Sequence, residues 1–174
     1  MEFKRLTSTD TETYEKAMKL YAVSFPKHEQ REEASKKAIM SDADYHFDCI
    51  YDSEDMVGIM LYWETETFVY IEHFCISPEM RNKQLGQKAL EYLASQTDKK
   101  IILEIDPPVR NIAIMRKEFY ERCGYKRNPF PHEHPAYHAG NEPHRLVIMS
   151  YPAILEQKEY EAFNDYLEKR VMGQ

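Results

Sequence analysis

The stretch Ile71-Glu72-His73-Phe74-Cys75-Ile76-Ser77-Pro78-Glu79-Met80-Arg81-Asn82-Lys83-Gln84-Leu85-Gly86-Gln87-Lys88-Ala89-Leu90 decides how this chain is read. An apolar strand runs to Pro78, a short basic and polar loop follows, and a helix opens with Gly86 in its first turn. The unpaired N–H groups and positive dipole end of a helix start favour an anion such as phosphate. Arg81 and Lys83 would strengthen that attraction. The ordinary alternative is a strand–turn–helix joint whose basic residues only solvate a loop.

Outward from this stretch, the chain has 174 residues, enough for one domain with a substantial core. It carries 23 Lys and Arg against 30 Asp and Glu, a net charge of −7. That balance argues against nucleic acid, whose recognition needs a basic surface, and suits a cationic or amine substrate. The three cysteines, Cys49, Cys75 and Cys123, are widely spaced and suggest a reducing compartment without a disulfide framework. No apolar run approaches a membrane span, and the first residues lack the apolar stretch of a signal peptide. The expectation is a cytoplasmic protein with no membrane partner.

Glu2 to Leu6 reads as a first strand. A helix capped by Thr9 or Asp10 follows through Tyr14, Ala17, Met18, Tyr21 and Ala22, and a more charged one covers Glu29 to Met40. Strands over Tyr45 to Tyr51, Met56 to Trp63 and Phe68 to Ser77 are joined by polar turns. Gln84 to Ser95 is a helix, and Lys100 to Asp106 a nearly all-apolar strand, as expected for burial on both faces. Asn111 to Cys123 is a helix closed by Gly124. A strand from Tyr125 leads into a Pro- and His-rich loop, Asn128 to Pro143, then a strand over Arg145 to Ser150. The last helix, Ala153 to Val171, carries Tyr160, Phe163, Leu167 and Val171 on one side. Hairpins followed by helix crossovers imply an α/β fold with a mixed, mostly antiparallel sheet flanked by helices on both faces. The expectation is one domain over residues 1–174 with helix 153–171 appended. That helix is open to two readings, a homodimer contact or packing on its own sheet.

In two motifs the residues resemble the Gcn5-related N-acetyltransferase (GNAT) superfamily. Cys75 to Gln87 is similar to the family's acetyl-CoA loop, and Phe119-Tyr120-Glu121-Arg122-Cys123-Gly124-Tyr125 to its later helix ending in Tyr-Glu-x-x-Gly-aromatic. The element order agrees over about residues 1–151. Two departures stand out. Gln84 occupies the place of the loop's first glycine, leaving Gly86. The asparagine that often precedes the tyrosine is displaced, with Ala113 in its register, Asn111 upstream and Arg116 one turn before Tyr120.

The resemblance implies acetyl-CoA as cosubstrate and direct acetyl transfer to an amine on a small molecule or peptide. It places pantetheine along Phe74 to Ile76 and pyrophosphate over Arg81, Asn82, Lys83, Gln84, Leu85, Gly86 and Gln87, with Asn111 and Arg116 as further contacts. Such a reaction needs a neutral amine, a stabilised oxyanion and a proton for the leaving thiolate. Glu72 is the expected general base, on one strand face with Phe74 and Ile76, its proton affinity raised by apolar neighbours. His73 competes but points to the opposite face unless a bulge intervenes. Tyr120 is the expected proton donor to the thiolate.

Cys75 and Cys123 lack a His/Asp pattern that would activate a nucleophile and read as packing residues. His132-x-His134 invites a metal reading, but no helix fixes the pair, so no metal is expected. The loop carrying His132, His134, Tyr137, His138 and His144 instead reads as a cover over the acceptor. Phe25 to Glu29 would form the opposite wall, where Glu29 or Glu32 could hold a cation. The alternative function is a non-catalytic acyl-CoA-binding module of the same fold, to which Gln84 gives weight.

Overall fold

The polar turns after Asp52 and Glu64 both form, with Ser53 in the left-handed region (φ 58°). They fold β2 (Tyr45–Asp52), β3 (Asp55–Glu64) and β4 (Phe68–Ile76) into an antiparallel meander, with β1 (Glu2–Arg5) paired to β2. A computed structural model describes residues 1–173. Helix α3 (Leu85–Ser95) crosses from β4 to β5 (Lys100–Ile105), and these two strands are the parallel pair of the sheet. β8 (His144–Tyr151) runs antiparallel to β5 and also pairs β6 (Lys126–Arg127) and β7 (His132–His134). The strand order is β1-β2-β3-β4-β5-β8-β6.

Helices cover both faces. One face packs Tyr14, Ala17 and Tyr21 of α1 (Glu12–Ser24), Ile39 of α2 (Glu33–Ile39) and Phe163 of α5 (Gln157–Tyr166) on Phe47, Trp63 and Tyr70. The other packs Leu85, Ala89, Leu90 and Leu93 of α3 on Val69, Ile71, Ile101 and Leu103. Phe119 and Tyr120 of α4 (Asn111–Arg122) lie against this second cluster.

Several boundaries differ from the sequence expectation. Thr11, not Thr9 or Asp10, caps α1, its side chain accepting from the Tyr14 N–H at 3.1 Å. The second helix is shorter because residues 27–29 form a separate 3₁₀ turn and Gln30 and Glu32 are extended. Arg31, between them, donates its N–H to the Tyr21 hydroxyl and sends its guanidinium into the core. The Pro- and His-rich loop contains β7, while the strand expected from Tyr125 is the two-residue β6. The C-terminal helix begins at Gln157 and continues as a π-type turn over Leu167–Val171. Phe163, Leu167 and Val171 are fully buried, so its apolar stripe packs on its own sheet.

Candidate active site

The parallel ladder of β4 and β5 runs from Phe68–Lys100 to Ile71–Leu103 and stops there. β4 continues to Ile76, still paired to β3, so its other edge from Glu72 onward opens into a cleft. The cleft encloses about 820 Å³. Glu72 to Ile76, the start of α3, the inner side of α4, the Phe25–Glu29 turn and Tyr137 line it.

One end is a helix start. No side chain caps α3 and no acidic residue lies in its first turn, so the N–H groups and dipole of Leu85, Gly86 and Gln87 are unmasked. Gln84 adopts the left-handed conformation (φ 59°, ψ 13°), as does Asn82 (φ 63°). Gln84 therefore keeps a backbone shape that glycine takes without strain. A Cβ on Gly86 would come within 3.2 Å of the Phe119 ring, so this glycine lets α3 and α4 approach. Of the residues expected around the cofactor, Phe74, Ile76, Arg81, Asn82, Gln84, Leu85, Gly86, Gln87 and Arg116 line the cleft. Lys83, whose ammonium reaches the Met80 sulfur, and Asn111, exposed at the start of α4, do not.

Tyr120 is placed by the end of α4. Gly124 (φ 89°) allows the Tyr125 N–H to reach the Tyr120 carbonyl and the Gly124 N–H the Glu121 carbonyl. The Tyr120 and Tyr125 rings then meet edge to face at 5.7 Å. This is the physical content of the Tyr-Glu-x-x-Gly-Tyr pattern. Burial pushes the Tyr120 phenol up to about 12, so it stays protonated beside the cleft.

Glu72 departs from expectation. The register shifts between Leu61–His73 and Tyr62–Ile71, leaving Glu72 as the extra residue of a bulge. The bulge breaks the alternation, so Glu72 and His73 both turn toward α1, while Phe74 and Ile76 face α3. The Glu72 side chain is fully buried. It accepts from Arg31 Nε (2.7 Å), Trp63 Nε1 (2.7 Å) and the Tyr137 hydroxyl (2.9 Å). Burial alone would raise its proton affinity, but the Arg31 charge, His73 and these hydrogen bonds hold the carboxyl at about 2. The expected upward shift is not present.

The acceptor end collects residues that sequence spacing did not join. His73 Nε2 donates to the Glu29 carbonyl at 2.8 Å, and burial lowers its proton affinity. His134 Nδ1 donates to the Pro135 carbonyl at 2.6 Å. Glu104 accepts from His132 Nε2 and the Tyr70 hydroxyl, both at 2.5 Å, and Asp106 lies 3.4 Å from Arg116. A lone Glu in the apolar run of β5 was the signal for this network. Arg31 had none, since a charged helix start is where a solvated arginine is expected. Among the described residues no group of three His, Cys, Asp or Glu could hold a metal ion. Cys49, Cys75 and Cys123 are free thiols, and burial raises the pKa of each. No helix among the described residues is long and apolar enough to cross a membrane.

Comparison with known proteins agrees with this architecture. A Bacteroides thetaiotaomicron protein assigned to the GNAT family superposes over 100% of this chain and 99% of its own, with a TM-score of 0.93 and 28% identity. The aminoglycoside 6'-N-acetyltransferase of Enterococcus faecium shares the fold at a TM-score of 0.58 and 16% identity, over 86% of this chain and 96% of its own. Bacillus subtilis YjbC, assigned as an acetyltransferase, is 22% identical over 169 residues, 86% of this chain and 82% of the relative. The acetyltransferase (GNAT) family model matches residues 11–125, and the chain belongs to that family.

Proposed function

We propose that this protein is an acetyl-CoA-dependent N-acetyltransferase that passes the acetyl group directly to an amine of a small molecule or peptide. The observation that carries the reading is the opening of the sheet after Ile71 and Leu103, with an uncapped helix start at one end and Tyr120 in its wall. Structural neighbours described with coenzyme A or acetyl-CoA bound share this fold.

Acetyl-CoA supplies an activated thioester. The N–H groups opening α3, with Arg81, would hold the pyrophosphate. The free edge of Phe74 to Ile76 would pair with the pantetheine amides in the manner of an added strand. Tyr120, held neutral, would protonate the departing thiolate. Glu72, saturated by three donors, would fix the bulge and the two loops flanking the acceptor end. The free cysteines fit the cytoplasmic setting expected from the sequence.

Calorimetry with acetyl-CoA, followed by thiol release over a panel of amines, tests this. Binding with amine-dependent thiol release supports the enzyme. Binding without release on any amine identifies an acyl-CoA-binding module, and absence of binding rejects both.

A further inference from the structure

Four carboxylates line the cleft, and three of them are engaged. Glu72 accepts from Arg31, Trp63 and Tyr137, Glu104 from His132 and Tyr70, and Asp106 from Arg116. Glu29 is different. Its carboxylate makes no side-chain hydrogen bond among the described residues, and its one basic contact there is His28 Nε2 at 3.6 Å.

The main chain that carries Glu29 is nonetheless firmly held. His73 donates to the Glu29 carbonyl at 2.8 Å and His138 Nε2 to the Lys27 carbonyl at 2.9 Å. Gln30 donates to the Phe25 carbonyl at 2.6 Å, and the Arg31 N–H to the Tyr21 hydroxyl at 3.0 Å. A turn pinned from β4, α1 and the 135–143 loop presents one carboxylate that accepts no hydrogen bond among the described residues. A group preorganised in this way is what an incoming donor requires.

We infer that Glu29 receives the acceptor ammonium and takes its proton. This rests on the acetyltransferase reading above and supplies the base that Glu72 cannot be. Burial raises the Glu29 pKa, with Asp106 adding to the shift against His28, Arg116 and His144, which favours proton acceptance. One ammonium proton passes to the Glu29 carboxylate. The freed lone pair forms the C–N bond to the acetyl carbon, and the C–S bond breaks with its electrons on sulfur. The thiolate takes the Tyr120 proton. Glu29 passes its first proton to solvent and then takes the surplus proton of the acylated nitrogen, which it also releases, while Tyr120 is reprotonated from solvent. Two protons leave and one returns, so each turnover releases one proton.

The same end also sets the substrate class. Asp106 lines the same cleft as Glu29, and its Arg116 partner at 3.4 Å is already engaged. A carboxylate beside the amine would meet like charge there. The acceptor is therefore a primary amine without an adjacent carboxylate.

The test measures kcat/KM for thiol release with phenethylamine, tyramine, phenylalanine and tyrosine, and the acetyl-CoA Kd, in wild type, Glu29→Gln and Glu33→Gln. Glu29→Gln is expected to lower kcat/KM for the amine about 10²–10⁴-fold, the span of a lost general base. Its acetyl-CoA Kd and both constants of Glu33→Gln should stay within about threefold of wild type, since neither substitution touches the helix start. Phenethylamine and tyramine should exceed phenylalanine and tyrosine by about tenfold or more, the cost of like charge across the site. A Glu29→Gln enzyme within about threefold of wild type overturns the base assignment, because such a loss is far below that of a general base. Equal or inverted preference within the matched pairs overturns the substrate class. Wild-type protein that releases thiol with no amine fails the underlying reading, and the inference falls with it.

Discussion

Arg31 Nε lies 2.7 Å from Glu72 Oε1, with the two side chains 4% and 0% exposed, so the ion pair is buried within the structure. Arg31 also donates to Ser35 and to the Val171 carbonyl. The pair therefore joins the turn before α2, the β4 bulge and the C-terminal segment. Arg31→Met should destabilise the fold by about 3–5 kcal/mol, because it strands a buried carboxylate. Thermal unfolding checks this. An unchanged Tm in Glu72→Gln together with lost turnover would return Glu72 to a catalytic role.

The same pair sets an acid limit. The folded carboxyl at about 2 lies below its ordinary 4.5. Its stabilisation is thus complete above the ordinary value and is lost as pH falls through about 2. Denaturant titrations across that window should show a falling unfolding free energy, and the slope should shrink in Glu72→Gln.

Asp48 gives the opposite sign. It is 4% exposed, accepts from the Tyr62 hydroxyl at 3.1 Å and leaves Oδ1 without a partner. Burial pushes its pKa up from 3.8 to about 6, so stability falls as pH rises between those values. Asp48→Asn should raise stability at neutral pH by about 3 kcal/mol and have no advantage near pH 3.8. An equal effect at both pH values would contradict this account.

Tyr120→Phe should lower turnover about 10²–10⁴-fold, the span of a lost general acid. The acetyl-CoA Kd should not change. Near-normal turnover with intact binding would remove Tyr120 from the proposed chemistry.

Gln84 pays a conformational cost in the loop, since a non-glycine residue in the left-handed region is disfavoured by roughly 1–2 kcal/mol. Gln84→Gly should therefore stabilise the protein by about 0.5–1 kcal/mol after the flexibility it adds to the unfolded chain. It should leave acetyl-CoA affinity intact. Gln84→Val should do the reverse on both counts, as calorimetry and unfolding would show.

The helix start at Leu85, the buried strand at Lys100 and the Gly124 closure were legible because local pattern determines each of them. The side of β4 to which Glu72 turns was not. A bulge depends on register against β3, and one extra residue reverses every expectation of facing. Arg31, 41 residues from Glu72, meets it only in the fold. Alternation put Glu72 on a face it does not take, while Glu29, on the expected acceptor wall, could be separated from its paired neighbours only by their contacts.

A crystal structure with CoA bound tests the central claim most directly. The account predicts the pyrophosphate on the N–H groups of residues 84–87 and the sulfur within about 3.5 Å of the Tyr120 hydroxyl, hydrogen-bond reach for a thiol. Pyrophosphate bound away from the α3 start, or a sulfur remote from Tyr120, would contradict it.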